Sequence, residues 1–196
     1  MKNKPAFEFQ LPVGKLCVYT KRPEFSFIEV NQTHSDINIS SDQITNDTNA
    51  DGIISFTKTH PPLAIKTADC LPIVVLGKKG KAIIHAGWRG VASKIFIKDE
   101  ILKLEPYYIF IGPSIQKKSF KVTEEFILNF SDGDRYYNDD HFDLHAYTKD
   151  HILKVLSQVK IEDCSIDTHG HDDLHSYRYS QTSERNWNIL FPDKID

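Results

Sequence analysis

The sequence is organised around two short segments, Thr67-Ala68-Asp69-Cys70-Leu71-Pro72 and His85-Ala86-Gly87-Trp88-Arg89-Gly90. The residues between them, 73–84, form two apolar runs around a Gly-Lys-Lys-Gly-Lys turn, a pattern typical of a β-hairpin. Because a hairpin brings its two ends together, we expect Cys70 and His85 at the same end of one sheet. A thiol and an imidazole held there predict either a Cys–His nucleophile pair or two ligands of a zinc ion.

The length and composition are typical of one globular domain. The chain has 196 residues, of which 40% are apolar and 26% charged, enough for a substantial core. We therefore predict a single domain over residues 1–196. The net charge of −3 and the pI near 6.3 provide no field that would attract nucleic acid or an anionic membrane surface.

The sequence also favours the cytoplasm. It has no apolar run of the roughly 18 residues that a membrane span needs, and residues 1–9 lack the apolar core of a secretory signal. Its three cysteines, Cys17, Cys70 and Cys164, are too few and too scattered for a disulfide framework, so we expect reduced thiols. Cys17 lies among apolar neighbours and is expected to be buried.

Hydrophobic periodicity predicts an irregular mixture of strands and helices. Punctuation by Gly and Pro and alternating apolar residues predict strands in the ranges 7–9, 15–19, 25–30, 50–55, 63–67, 107–111, 161–167 and 186–191. Helical spacing predicts helices over 91–104, 123–130 and 144–159. Because these elements do not alternate regularly, the predicted class is α+β, with mixed or mostly antiparallel sheets.

Three groups of residues compete for the chemistry. His34, Cys70 and His85 each follow or end a predicted strand and would suit a catalytic zinc ion with one open position, although their spacing matches no short zinc motif. Cys70 and His85 would alternatively act as a metal-free nucleophile pair. The histidine-dense stretch 169–175 also suggests metal, but polar loops of this kind are more often solvated.

Charged residues beside these groups have open roles. Asp69 would act as a general base, or would accept backbone N–H bonds at its corner. Arg89 would bind an anion such as phosphate or form a salt bridge, and a helix beginning near Val91 would direct backbone N–H groups toward the same corner. Arg178 and Arg185 present the same alternatives.

Several motifs together resemble one known family. The chain resembles the YfiH-like family, also called the laccase-domain or multicopper polyphenol oxidoreductase family and later described as purine nucleoside phosphorylases. The resemblance runs from about Phe27 to the C-terminus. Besides the two segments quoted above, it is carried by Gln32-Thr33-His34-Ser35, Ala50-Asp51-Gly52, Ile111-Gly112-Pro113-Ser114-Ile115, Phe142-Asp143-Leu144 and Ser176-Tyr177-Arg178.

The chain departs from the family pattern in three places. The region before the first motif is short, and the Thr-Gly-Arg common near the family's C-terminus is Ser183-Glu184-Arg185. The Gly-Pro-Cys-Ile of many members is Gly112-Pro113-Ser114-Ile115. These differences affect the expected substrate pocket and leave the expected zinc ligands in place.

The resemblance implies a fold and a metal. It implies a single α+β domain of stacked sheets flanked by helices, similar to the catalytic domain of cytotoxic necrotising factor. It also implies that His34, Cys70 and His85 hold zinc. We expect these three residues and Asp69 to be catalytic, and Arg89, Gln32 and Arg178 to bind phosphate or substrate. Gln32 and Asp69 are also candidates for orienting the site.

The resulting expectation is a cytoplasmic zinc enzyme, monomeric or homodimeric, with small-molecule partners. It would be a purine nucleoside phosphorylase acting on adenosine, inosine or methylthioadenosine. Adenosine deaminase activity, with release of ammonia from C6, is an alternative. Two rivals stay open: a cysteine hydrolase or amidase that edits peptidoglycan precursors, and a polyphenol oxidase. Copper is disfavoured because His169-Gly170-His171 is the one His-x-His pair.

Overall fold

The computed structural model describes residues 4–57 and 60–192. Within them, twelve strands in chain order are β1 Phe7–Gln10, β2 Lys15–Tyr19, β3 Asn38–Ser40, β4 Gly52–Ser55, β5 Leu63–Thr67, β6 Leu71–Gly77, β7 Gly80–Ala86, β8 Pro106–Ile111, β9 Tyr137–Asn138, β10 His141–Phe142, β11 Lys160–Asp163 and β12 Asn186–Phe191.

The helices are fewer and mostly short. They are α1 Trp88–Ala92, α2 Asp99–Leu102, α3 Glu124–Ile127, α4 Leu144–Val155 and α5 Tyr177–Ser180, with 3₁₀ turns at Ser41–Gln43, Ile95–Ile97, Lys117–Ser119 and Gly133–Tyr136. None of the described helices combines the length and the apolar character needed to cross a bilayer.

Two sheets form the centre of the fold. The six-stranded sheet has the order β11-β8-β6-β7-β4-β3, and the four-stranded sheet has the order β1-β2-β12-β5. All pairs in the smaller sheet are antiparallel, whereas the larger sheet adds parallel pairs at both edges, β11 with β8 and β3 with β4. This confirms the predicted α+β class with mixed sheets.

The large sheet is covered on both faces. Along β6, Val74 packs into a cluster with Leu16 and Leu190 of the small sheet, whereas Ile73 and Val75 face a cluster that includes helical side chains such as Phe96 and Tyr147. Successive strand residues point to opposite faces, so a strand buried on both sides is apolar throughout. The predicted arrangement of stacked sheets flanked by helices is confirmed.

The predicted central hairpin is present as β6 and β7. Pro72 lies opposite His85, and Gly77 lies opposite Gly80 at the turn. Cys70 immediately precedes β6, so its side chain and that of His85 lie at the same end of the sheet.

The predicted strand over 25–30 is wrong. The segment is irregular apart from an isolated bridge between Ile28 and Leu63. Phe25 packs on Tyr19 and Phe191, and Phe27 packs on Trp187, all on the outer face of the small sheet. The alternating phenylalanines that suggested a strand serve instead to cover that face.

The predicted helix over 91–104 is also wrong as one element. The chain forms α1, the 3₁₀ turn and α2 in succession, and Lys94 takes a left-handed conformation with φ +57°. Ile95 and Phe96 are both fully buried in the 3₁₀ turn that separates the two helices. The side-chain amide of Asn38 donates to the Ile95 carbonyl and stabilises the break.

Other boundaries are shorter than predicted. The helix predicted over 123–130 is α3, and Thr123 occupies its N-cap position without a side-chain cap bond. The helix predicted to reach 159 ends with Val155, and the strand predicted over 161–167 is Lys160–Asp163. Ser165, with φ +53°, follows that strand, so the backbone turns away from the sheet.

Candidate functional site: a His–Cys–His group at an open cavity

A cavity of about 640 Å³ opens beside the end of the central hairpin. His34, Cys70 and His85 line it. Their potential ligand atoms all lie within 4.8 Å of one another, and Cys70 Sγ is 3.9 Å from His34 Nε2. Across residues 4–57 and 60–192, this is the one group of three or more His, Cys, Asp or Glu side chains that converges in this way. The structure therefore brings together the three residues that the sequence analysis grouped.

His34 reaches the site from a loop. The predicted strand before it is not formed, and His34 itself has φ +57°. The loop is instead held by the buried carboxylate of Asp51, which accepts backbone N–H bonds from Thr33, His34 and Ser35 at 3.3, 3.2 and 2.6 Å. The Ser35 hydroxyl donates to the same carboxylate at 2.6 Å. Asp51 thus fixes a conformation that a non-glycine residue adopts only with support.

Asp51 also orients His85. His85 Nδ1 lies 2.7 Å from Asp51 Oδ1, and both side chains are buried. Burial alone would raise the pKa of Asp51, but the hydrogen bonds from His85 and Ser35 lower it to about 2. With Nδ1 bonded to a carboxylate, Nε2 is the ring nitrogen left to act as a ligand, an arrangement common behind metal-bound histidines.

Asp51 is a functional residue for which no role was predicted. The available signal was an acidic residue directly before the fully buried strand β4. A buried carboxylate is costly without partners, so its position pointed to a dedicated set of donors.

The electrostatics favour a thiolate at Cys70. Burial alone would raise the pKa of this thiol, but the charge of His85 and hydrogen bonds from His34 and His85 lower it to about 6. Burial would likewise lower the pKa of His85, but the Cys70 thiolate and the Asp51 carboxylate raise it to about 9. One thiolate and two imidazoles within reach of a common centre are a donor set that zinc accepts, so these residues fit the implied metal.

Gly87 makes the close approach of these side chains possible. A Cβ atom at this position would lie 2.9 Å from His34 Cδ2 and 3.3 Å from Cys70 Sγ. The glycine of the His-Ala-Gly-Trp-Arg-Gly segment is therefore required by the packing of the ligand group.

Gln32 and Asp69 are both engaged with the protein. The Gln32 side-chain amide donates to the Lys66 carbonyl and accepts from the Lys66 N–H, each at 2.7 Å, and so ties the His34 loop to β5. Asp69 accepts from the Thr168 hydroxyl at 2.8 Å and from the Arg178 N–H at 2.6 Å. The substrate-binding role of Gln32 and the catalytic role of Asp69 stay predictions.

Arg89 and Arg178 both line the cavity. The Arg89 guanidinium lies 4.4 Å above the Trp88 ring and makes no hydrogen bond to the described residues. Arg178 donates to the Lys121 carbonyl at 2.7 Å and lies 5.1 Å above the Phe120 ring. The Arg89 guanidinium at the cavity edge thus has no acceptor among the described residues, whereas that of Arg178 is partly engaged by the cavity wall.

Sequence reasoning missed the aromatic lining. Trp88, Phe120 and Tyr177 all border the cavity, and Tyr177 is 57% exposed. These positions are separated along the chain, so no local pattern joined them. Flat aromatic faces beside a polar centre suit a planar heterocycle.

The histidine-dense stretch does not converge on a metal site. His169 packs edge-on against Tyr179, and His171 packs edge-on against Phe7. His175 Nε2 is bonded to the Thr20 carbonyl at 2.9 Å. The three rings therefore support separate parts of the fold.

Comparison with known proteins identifies the family. The profile described as multi-copper polyphenol oxidoreductase laccase matches residues 14–191. The chain belongs to this family. Solved structures agree in fold: the Bacillus licheniformis hypothetical protein YfiH is matched with a TM-score of 0.70 and 20% identity, over 86% of this chain and 74% of that one.

Several relatives carry the names of nucleoside enzymes. The purine nucleoside phosphorylase RC0672 of Rickettsia conorii is 27% identical over 175 residues, covering 84% of this chain and 72% of that protein. The purine nucleoside phosphorylase RP494 of Rickettsia prowazekii is 30% identical over 148 residues, covering 70% of this chain and 60% of that protein. A shorter match, 31% identical over 85 residues, is to the adenosine deaminase RL5 of an unknown prokaryote and covers 39% of this chain.

Proposed function

We propose that the chain is a zinc-dependent purine nucleoside phosphorylase that acts on adenosine, inosine or methylthioadenosine. The observation that carries the proposal is the His34, Cys70 and His85 group at an open cavity that also presents the free guanidinium of Arg89. Relatives named purine nucleoside phosphorylase support the choice of substrate class.

His34, Cys70 and His85 would hold the metal, and the Asp51 carboxylate would keep His85 in the ligating tautomer. Zinc, when bound there, supplies Lewis-acid chemistry at the wall of the cavity. Arg89 is the residue best placed to bind phosphate, because its five donors match an oxyanion and have no other acceptor among the described residues.

The reaction would join phosphate to the sugar. A phosphate oxygen attacks C1′ of the nucleoside, the C1′–N9 bond breaks, and the electron pair of that bond leaves with the base, which takes up a proton. Trp88, Phe120 and Tyr177 offer aromatic surface to the purine, and Arg89 holds the anion. The chain's contribution is the placement of phosphate and nucleoside in one cavity.

The test is to incubate purified protein with adenosine, with and without phosphate, and to separate the products by chromatography. Adenine and ribose 1-phosphate that form only with phosphate are the expected result. Adenosine that stays unchanged in both samples would overturn the proposal, and peptidoglycan precursors would then be the next substrates to try.

Adenosine deamination is the second candidate, supported by the local match to the deaminase RL5. In this reaction water replaces the amino group at C6, so inosine and ammonia appear in both samples of the same assay. Phosphate independence is the outcome that separates it from phosphorolysis.

Two further reactions have weaker support. The lowered pKa of Cys70 would suit a cysteine hydrolase or amidase, whose activity would survive chelation and be lost on alkylation. The family description names a copper oxidase, but multicopper chemistry needs several ligand groups, and a single group converges within the described residues.

We propose that the enzyme is cytoplasmic and is a monomer or a homodimer.

A further inference from the structure

Asp69 lies directly before Cys70, in a backbone conformation that is unusual for its side chain. Its φ is +94°, outside the range that residues other than glycine normally adopt. Its own carbonyl accepts the Ile115 N–H at 3.0 Å. Strain at this position therefore has to be balanced by contacts that Asp69 makes in the folded chain.

The Asp69 carboxylate supplies these contacts across long sequence separations. One oxygen accepts the hydroxyl of Thr168, which is completely buried, at 2.8 Å. The other accepts the backbone N–H of Arg178 at 2.6 Å. Both oxygens are thus bonded to donors of the protein, one on a loop about a hundred residues away and one on α5.

Arg178 connects this carboxylate to the cavity wall. Its guanidinium donates to the Lys121 carbonyl at 2.7 Å and lies over the Phe120 ring. Phe120, Tyr177 and Arg178 all border the cavity. A single carboxylate next to the ligand Cys70 therefore determines where the aromatic and cationic wall stands relative to the ligand group.

We propose that Asp69 is a positioning residue that couples this wall to the His–Cys–His group, and that it does not act as the general base. The measurement of KM for adenosine rests on the proposed function, whereas the hydrogen exchange of the Arg178 amide does not depend on it. Asp69 works through Tyr177 and Arg178, which line the cavity, so its loss weakens substrate binding more than it slows the chemical step. Precise placement of this kind is what binding residues contribute to catalysis.

The test uses Thr168, which touches Asp69 but does not line the cavity. Thr168→Val removes the hydroxyl at constant shape, Thr168→Ser keeps the hydroxyl as the matched control, and Asp69→Asn replaces one acceptor oxygen by a donor. We expect Thr168→Val to raise the KM for adenosine about fivefold to tenfold at nearly unchanged kcat. Thr168→Ser should stay close to the wild type, and Asp69→Asn should raise KM further.

Hydrogen exchange of the Arg178 amide provides a readout that does not depend on turnover. We expect this amide to exchange faster in Thr168→Val and in Asp69→Asn than in Thr168→Ser, while the zinc content of all variants stays at the wild-type level. If the wild type does not cleave adenosine, the proposed function fails, and equilibrium dialysis with inorganic phosphate, together with exchange, still tests the coupling.

Two results would overturn the proposal. One is a Thr168→Val protein whose KM, phosphate binding and Arg178 exchange all equal those of the wild type. The other is an Asp69→Asn protein in which kcat falls while KM is unchanged, and in which kcat no longer decreases toward low pH as it does in the wild type. That behaviour is expected of a general base.

Discussion

Two buried histidines in this molecule have nearly the same carboxylate partner and different surroundings. His85 Nδ1 lies 2.7 Å from Asp51, and His145 Nδ1 lies 2.8 Å from Asp163. The two residues are 3% and 4% exposed, respectively. The Nδ1 hydrogen bond and the burial of the residue therefore do not distinguish the two sites.

The difference lies at the other ring nitrogen. His145 Nε2 is 3.1 Å from both the Ser114 hydroxyl and the Gln116 side-chain amide, and Ser114 is completely buried. This Ser–His–Asp order resembles a catalytic triad, but a substrate cannot reach its hydroxyl. His85, by contrast, faces Cys70 and His34 at the open cavity. The second ring nitrogen of His85 is therefore available to bind a ligand, whereas that of His145 is bonded inside the protein. We infer that the His145 group ties α4 to the sheet.

Removal of a ligand should have the largest effect. Cys70→Ala deletes the thiolate of the open group, so we expect it to lose bound zinc and more than about a thousandfold in kcat/KM. Ser114→Ala is the matched variant in the buried group and should keep both. The measurements are metal content and adenosine phosphorolysis. Zinc and full turnover retained in Cys70→Ala would contradict the assignment of the site.

Thiol reactivity should distinguish Cys70, in the open group, from the two cysteines outside it. At pH 7 in the metal-free protein, we expect iodoacetamide to modify Cys70 at least about a hundredfold faster than the other cysteines. Burial raises the pKa of Cys17 to about 11 and that of Cys164 to about 12, whereas His85 and His34 offset burial and lower the pKa of Cys70 to about 6.

Peptide mass spectrometry after timed labelling measures this difference, and added zinc should protect Cys70. Equal labelling of all three cysteines in the native protein would show that the open group does not stabilise a thiolate.

Loss of the orienting carboxylate should be a graded effect. Asp51→Asn should weaken zinc binding about ten- to a hundredfold, because the partner of His85 and the acceptor for the His34 loop are both impaired. Competition with a chromophoric chelator gives the affinity. Asp163→Asn is the matched change in the buried group, and an equal loss of zinc affinity in that variant would remove the distinction between the two histidines.

The buried group of Asp163 and His145 should instead contribute to the free energy of unfolding. Burial opposes ionisation of Asp163, but the hydrogen bond and charge of His145 hold its pKa well below the ordinary value of 3.8. A carboxyl group whose pKa is lower in the folded than in the unfolded state stabilises the fold at pH values above its unfolded-state pKa. This contribution is lost as the pH falls through the folded-state pKa. Asp163→Asn should therefore lower the free energy of unfolding by about 2 kcal/mol at pH 7.

Urea unfolding of the wild type and Asp163→Asn at pH 7 and below pH 4 checks this prediction. The difference between the two proteins should narrow in acid. A difference that stays constant with pH would mean that the loss comes from packing and not from the ionised carboxylate.

Much of the fold could be predicted from the sequence because its signals are local. The turn between β6 and β7 and the apolar runs on both sides specified the hairpin, and the positions of Cys70 and His85 followed from it. The strand over 25–30 and the helix over 91–104 failed because tertiary packing decided them. Phe25 and Phe27 cover a sheet face, and the Asn38 side chain bonds to the Ile95 carbonyl where the predicted helix is interrupted.

The site could be predicted only in part for a related reason. His34 was recognised as a candidate ligand, but the residue that places it, Asp51, acts across sixteen to thirty-four positions of sequence. The wall formed by Phe120 and Tyr177 likewise joins distant segments. Candidate metal ligands can be recognised from their residue type, whereas the groups that orient them can be identified only from the three-dimensional structure.

The most direct test of the central claim is X-ray absorption spectroscopy of the zinc-loaded protein at the zinc edge. The account predicts one zinc per chain, with one sulfur ligand at about 2.3 Å and two imidazole nitrogens at about 2.0–2.1 Å. Protein that binds no zinc, or zinc surrounded by nitrogen and oxygen alone, would contradict the assignment of Cys70, His34 and His85 as the metal centre.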